Sequence, residues 1–291
     1  MEIDKKLKPY LIYMFALAWI LQILASVLYL NGQAGFFPIL LSVCMFSPFV
    51  ATILSSKEWK NIGFKPKLKG NIGWLLYAWF VPAVVGALGA VIYFILFPKA
   101  LDLGLGAVVA SLGEAGAAQL EANGMSVGIV AIISIFSSIT YAPWINMFLA
   151  VGEEVGWRGY MYSILKERFG RNKGRIIGGV IWGIWHWPII ILAGYEYGTE
   201  YWGAPVTGPL LFCLITTAMG ILLDDIYERT ECIWFPAIMH GAINAFAGIP
   251  TLFMNMDYKN EPLLGPLMVG VIGGLPMILW AVFISVRKKN K

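Results

Sequence analysis

The chain has 291 residues, of which 59% are hydrophobic and only 13% are charged, and its mean hydropathy is +0.73. Soluble domains usually carry about 25% charged residues, so this composition excludes an ordinary soluble protein and indicates an integral membrane protein. The formal net charge of +4 reflects membrane topology and attraction to an anionic leaflet, so we expect the lipid bilayer and no nucleic acid among the partners.

About eight apolar runs are long enough to cross a bilayer as helices, which takes about 20 residues each. They cover residues 9–31, 35–55, 72–97, 126–152, 176–196, 205–223, 232–250 and 263–286. The segment 98–125 is too polar to span, although a short helix over 107–122 would suit the membrane surface, and 224–231 is predicted to be an acidic loop. We find no internal repeat and no soluble region, so residues 1–291 are interpreted as a single all-α membrane domain.

Basic residues indicate how these eight spans are oriented. All 21 lysines and arginines except Lys99 and Lys259 fall on one side of the membrane. By the positive-inside rule that side is the cytoplasm, so both termini are expected there.

Two adjacent carboxylates, Glu153 and Glu154, close the apolar run 126–152. One charged side chain at mid-bilayer costs roughly 2.5–3.5 kcal/mol, so an ionisable residue there is a candidate for function. Arg158 lies four residues after Glu154 on the same helix face, and the two can neutralise each other. Glu153 points about a quarter-turn away and is expected to have no partner on its own helix. We therefore predict that Glu153 is the reactive carboxylate and that the Glu154–Arg158 pair braces it.

The two histidines of the chain, His186 and His240, both fall inside predicted spans. A rise of 1.5 Å per residue puts them about 16 Å and about 13 Å from the cytoplasmic ends of their helices, and Glu153 reaches a similar depth if its helix projects or tilts. Asn244 follows His240 by four residues and faces the same way. We expect these side chains to meet in a cavity open to the cytoplasm, where Pro188 would loosen the helix of His186.

This set of side chains suits amide hydrolysis. A carboxylate and an imidazole can deprotonate water together, while a second imidazole and a carboxamide can donate hydrogen bonds to an oxyanion. Glu153, His186 and His240 could instead hold a zinc ion, with one position left for water. The sequence contains no His-Glu-x-x-His stretch, so the commonest zinc-protease signature is missing.

The order of the motifs resembles a known family. The paired acids with their arginine, an aromatic residue four before His186, and His240-x-x-x-Asn244 are similar to the motifs of the CAAX prenyl protease type II group. This group belongs to the CAAX-protease and bacteriocin-processing family of intramembrane proteases. The resemblance is specific over about 150–245, and the eight-span layout extends it to most of the chain. One departure is Trp182, at a position where the family has Phe.

The resemblance implies an intramembrane endopeptidase that removes the last three residues after a prenylated cysteine. The residues carried over are Glu153, His186, His240 and Asn244 for catalysis, with Glu154 and Arg158 as structural support. The acid and the first histidine would activate water, and the second histidine and the amide would stabilise the oxyanion. No cofactor is favoured, because Asn244 is a natural oxyanion donor and a poor zinc ligand.

The implied partners are the C-terminal tails of prenylated proteins. A prenyl chain partitions into the bilayer with about 0.8 kcal/mol per buried CH₂, which would deliver the scissile bond to a cavity under the headgroups.

Two other functions stay open at this stage. A protease of the same family could cut peptides that carry no lipid, such as bacteriocin precursors. A non-enzymatic transporter or scaffold could use Glu153 and the histidines to relay protons or bind a partner. Transporters built from inverted repeats have paired broken helices, and the sequence shows no such pairing.

Overall fold

The structure, a computed structural model, describes residues 2–56 and 62–287, with side chains from residue 6 onward. Within these ranges the regular elements are helices, so the predicted all-α class is confirmed. The helices are α1 (Glu2–Leu30), α2 (Phe36–Cys44), α3 (Ser47–Ser55), α4 (Ile72–Leu96), α5 (Gly106–Ala122), α6 (Val127–Ile139), α7 (Ala142–Gly156), α8 (Tyr162–Phe169), α9 (Arg171–Trp185), α10 (Trp187–Ala193), α11 (Thr207–Thr230), α12 (Trp234–Phe246) and α13 (Leu275–Val286). A π-helical turn, Trp157–Met161, joins α7 to α8 without a break.

Fewer segments qualify as membrane spans than the eight that hydropathy predicts. In the described ranges, the helical segments long and apolar enough to cross a membrane are 6–30, 36–55, 72–96, 171–193 and 207–230. A sixth is reached if α5 and α6, which meet at a bend of 103°, form one broken span. These helices support an integral membrane protein. The cytoplasmic position of the termini stays a prediction. Some of the basic residues on which this prediction depends lie outside the described residues. These are Lys57, Lys60, Lys288, Lys289 and Lys291.

The differences arise at breaks that an average over apolar residues does not detect. The run 126–152 divides at Thr140, between α6 and α7, and Pro143 in the first turn of α7 has no N–H to continue the earlier helix. In the run 232–250 only the 13 residues of α12 are α-helical. The glycine-rich run 263–286 is irregular up to Gly274, and the 12-residue α13 begins at Leu275.

Residues 224–231 do not form the predicted loop, because α11 continues to Thr230. Its carboxylates meet basic side chains of α8 and α9 instead of water. Arg175 Nε lies 2.6 Å from Asp224 Oδ2, and neither side chain is exposed. Lys166 Nζ lies 2.7 Å from the other oxygen of Asp224. We call this group the ionic cluster, and its members are Lys166, Arg171, Arg175, Asp224, Asp225, Glu228 and Arg229.

Close helix packing brings the three motif-bearing segments together. α12 packs along α7, and α11 packs along α9. Gly241 permits the first contact, since a Cβ there would lie 2.5 Å from the carbonyl oxygen of Pro143 in α7. Gly183 permits the second, since its Cβ would lie 2.6 Å from the Cα of Cys213 in α11. α11 also contacts α12, so the helices that carry the paired acids and the two histidines belong to one packed group.

Candidate active site

Four side chains that the sequence singles out line a single cavity. Glu153 stands near the end of α7, His186 lies at the junction of α9 and α10, and His240 and Asn244 are on α12. The cavity has a volume of about 120 Å³, which is room for a few water molecules. Glu153 and His240 are each only 3% exposed. The structure thus brings these residues together from three separate parts of the chain.

Glu154 and Arg158 form the pair that their spacing predicts. Arg158 Nη1 donates to Glu154 Oε1 at 2.8 Å, and both side chains are fully buried. The same oxygen lies 2.8 Å from His240 Nδ1. The pair therefore also holds one imidazole of the cavity, a link that spacing along one helix does not predict.

The prediction that Glu153 has no partner on its own helix is wrong. Trp157, four residues later, donates its indole Nε1–H to Glu153 Oε2 at 3.0 Å. Trp182 of α9 donates to the same oxygen at 2.8 Å. Tryptophan counts as apolar in a hydropathy pattern, yet its indole N–H is a hydrogen-bond donor, so the pattern conceals both partners.

His186 lies where α9 stops and α10 begins, one residue before Trp187. Pro188 stands at the second position of α10 and has no N–H to bond to the preceding turn, as the sequence suggests. His186 Nδ1 lies 3.0 Å from the carbonyl oxygen of Trp182. A carbonyl oxygen only accepts, so Nδ1 carries the proton in this contact. Nε2 of the neutral ring is then free to accept a proton.

Gln22 of α1 bridges the helix break beside His186. Its Nε2 donates to the carbonyl oxygen of Trp185 at 2.8 Å, and its Oε1 accepts the Ile189 N–H at 3.3 Å. In an unbroken helix these two backbone groups would bond to each other. Gln22 is 1% exposed and also lines the cavity. The sequence signal for its role was an amide side chain in the middle of a mostly apolar run.

A second carboxyl group, Glu196, lines the same cavity from the turn between α10 and α11. Its backbone φ of 68° is in the left-handed region, which a residue with a Cβ rarely adopts. Burial raises the pKa of the Glu196 carboxyl, so its neutral form, which can donate a hydrogen bond, is favoured. Glu196 lies in a polar connection between two spans, where no sequence pattern marks it as a site residue.

The zinc alternative requires Glu153, His186 and His240 to converge on one ion. In the part of the chain that the structure describes, no group of three or more His, Cys, Asp or Glu side chains is arranged to hold a metal ion. The three residues share the cavity without forming such a set.

Comparison with protein families shows the family to which the chain belongs. A family model described as Type II CAAX prenyl endopeptidase Rce1-like matches residues 13–246, which is most of the chain and includes the whole cavity motif set. The chain belongs to this family. A similar protein of Methanococcus maripaludis, described as CAAX prenyl protease 2, is 32% identical over 111 residues. That alignment covers 37% of this chain and 40% of the relative's length.

Trp182 departs from the motif of the Rce1-like CAAX endopeptidase family. The family's middle motif has Phe at this position, and Phe has no N–H to donate. In this chain the indole keeps the aromatic ring and adds a hydrogen bond to Glu153.

Proposed function

We propose that this protein is an intramembrane endopeptidase that removes the C-terminal tripeptide from prenylated protein tails. The observation that carries the proposal is the convergence of Glu153, His186, His240 and Asn244 on one cavity. The order of their motifs matches the family to which the chain belongs. The helices that could cross a membrane would place this cavity where a prenyl chain already partitions.

In the proposed reaction, Glu153 and the bare Nε2 of His186 hold a water molecule. The water oxygen attacks the carbonyl carbon of the scissile peptide bond as its proton passes to the Glu153 carboxylate. The C–N bond then breaks, and the proton moves from Glu153 to the leaving amine. The products are the shortened prenylated chain with a new carboxylate and a free tripeptide.

The oxyanion of the tetrahedral intermediate would be stabilised by His240 and Asn244. His240 uses its Nδ1–H toward Glu154, so its Nε2 donates to an oxyanion only when the ring is an imidazolium. The Asn244 carboxamide donates in either case. Glu154 and Arg158 position His240 and do not contact the substrate in this scheme.

We also propose that the cavity opens on the cytoplasmic side, where prenylated tails are found. Positive residues on one side of the spans support this orientation. A pair of engineered surface cysteines, one near each predicted membrane face, tests it by labelling in intact cells.

The direct test is purified enzyme incubated with a farnesylated peptide ending in a CAAX sequence, with products read by mass spectrometry. We expect loss of the last three residues. Glu153→Gln should lower turnover by about 10²–10⁴-fold, the usual contribution of a positioned acid–base group. Glu231→Gln, which alters an exposed carboxylate remote from the cavity, is the matched control.

Three further arms of that assay separate the alternatives. Equal cleavage of the unprenylated peptide would favour a family protease that ignores the lipid. Activity that disappears after exhaustive metal removal and returns with one equivalent of zinc would favour the zinc mechanism. Wild-type turnover in Glu153→Gln would overturn the assignment of the base.

A further inference from the structure

We infer that Trp157 and Trp182 are positioning residues that hold Glu153 by one carboxylate oxygen and leave the other for water. The inference rests on the proposed role of Glu153 as the base. The two indoles are neutral hydrogen-bond donors to the proposed base, and one of them lies at a position where the family motif has Phe.

Both indoles reach the same atom from different helices. Trp157 Nε1 lies 3.0 Å and Trp182 Nε1 lies 2.8 Å from Glu153 Oε2. Within the part of the chain that the structure describes, these are the hydrogen bonds made to this side chain. A carboxylate oxygen has about two acceptor sites, so Oε2 is saturated and Oε1 is the oxygen left for the cavity.

Each indole is fixed by its own surroundings. Trp157 and Trp182 are 0% and 1% exposed, so neither exchanges its partner for solvent. The ring of Trp182 lies under the Arg158 guanidinium, with 4.5 Å between the guanidinium carbon and the ring centroid. The Trp182 ring also lies beside His240, at a centroid distance of 5.3 Å. Trp182 therefore contacts both the brace and the proposed oxyanion donor.

Trp157 is the first residue of the π-helical turn. The Tyr162 N–H bonds to the Trp157 carbonyl, five residues earlier instead of four. Single π turns of this kind are rare in helices and frequent at functional sites. Here the wider turn starts at Trp157 itself, directly after the helix that carries Glu153.

Neutral donors suit a carboxylate that must accept a proton. A buried carboxylate needs hydrogen bonds to stay ionised, and a cation would supply them at the cost of weakening the base. Two indole N–H groups stabilise the ionised form without a full positive charge. The Arg158 charge is instead taken up by Glu154 and by the Trp182 ring.

The test compares Trp157→Phe, Trp182→Phe and the double variant with wild type in the farnesyl-peptide assay. Each single change removes one hydrogen bond to a charged group and should lower kcat about 10-fold, and the double change should lower it about 100-fold. KM should stay within about 2-fold, because the hydrogen bonds that are removed are made to the proposed base.

The pH profile provides a readout that a purely structural role would not move. With fewer donors the ionised carboxylate is less stable, so the acidic limb of kcat/KM should move to higher pH in both variants. The other titratable groups around Glu153 are unaltered in every variant, namely Tyr10, Cys44, Glu154, His186, Tyr195, Glu196 and His240.

Trp79→Phe on α4 is the matched control, because it also removes an indole hydrogen bond. That bond runs from Trp79 Nε1 to the carbonyl oxygen of Ile139 at 2.7 Å. This variant should leave kcat and the acidic limb as in wild type. If a Phe variant does not fold, 3-benzothienylalanine at the same position keeps the bicyclic shape and lacks the N–H.

The outcomes separate this inference from the proposed function. An inactive Glu153→Gln enzyme alongside Trp157→Phe and Trp182→Phe enzymes with unchanged kcat and unchanged pH limb would overturn the indole role alone. A rise in KM with kcat intact would also overturn it. A fully active Glu153→Gln enzyme would overturn the role of Glu153 itself.

Discussion

Two regions of this molecule bury carboxylates among apolar helices, and they surround them differently. In the ionic cluster, Asp224 contacts the cations of Arg175 and Lys166. In the cavity, the hydrogen bonds to Glu153 come from two neutral indoles. A carboxylate between cations is held in its ionised form and joins helices, whereas one between neutral donors at a cavity wall can still take a proton. We therefore expect the type of partner to distinguish a structural acid from the proposed reactive one.

Between the two regions, the largest effect of a substitution on stability is expected in the ionic cluster. Arg175→Met removes one partner of a fully buried pair and leaves Asp224 without it, which should lower the free energy of unfolding by about 3–5 kcal/mol. Turnover per folded molecule should stay near wild type. Thermal or denaturant unfolding in detergent, combined with the peptide assay, measures both quantities.

Arg171→Met is the control for that change, because its side chain is 27% exposed and water can replace part of the lost contact. A smaller loss of stability is expected. Equal stability of the Arg175→Met protein and wild type would contradict the structural role of the cluster.

A smaller effect on stability, with a larger effect on turnover, is expected at Gln22. Gln22→Leu leaves the Trp185 carbonyl and the Ile189 N–H without their amide partner, which should cost about 1–3 kcal/mol. The adjacent His186 should then lose its position, so kcat should fall. Unfolding and kcat are measured on the same preparation.

Ser26→Ala is the control on the same helix face of α1. It removes a buried hydroxyl that donates a hydrogen bond to the Gln22 carbonyl within α1. If Gln22→Leu and Ser26→Ala give the same small change in kcat, the break at His186 does not depend on the amide.

The smallest effect is expected for an exposed ion pair. Lys67 Nζ lies 3.0 Å from Glu231 Oε2, and these side chains are 42% and 80% exposed. Lys67→Ala should change the free energy of unfolding by no more than about 1 kcal/mol, and added salt should remove the difference. A loss of stability comparable to that of Arg175→Met would show that solvent exposure does not determine how much these ion pairs stabilise the fold.

Sequence patterns predicted the charged part of the site well. The four-residue spacing of Glu154 and Arg158 predicts their contact, and the depth of the two histidines predicts that they share a region with Glu153. The structure shows that contact and a common cavity. These predictions work because helix geometry turns residue spacing directly into direction and distance.

The neutral partners and the helix breaks could not be predicted in the same way. Trp157 and Trp182 count as apolar residues in a hydropathy pattern, although their indole N–H groups bond to Glu153. Hydropathy likewise joins the run 126–152 into one span, while the chain breaks at Thr140. Averaging over a window removes the single donors and single prolines that decide such details.

The amide of Gln22 has a consequence for dissecting this protein into parts. Every recognisable motif lies within about 150–245, which invites expression of that stretch alone. Yet the backbone beside His186 is completed by a side chain from the first helix, more than a hundred residues upstream. A fragment holding all the motifs would lack this amide, so we expect it to lose the backbone arrangement beside His186 unless α1 is also present.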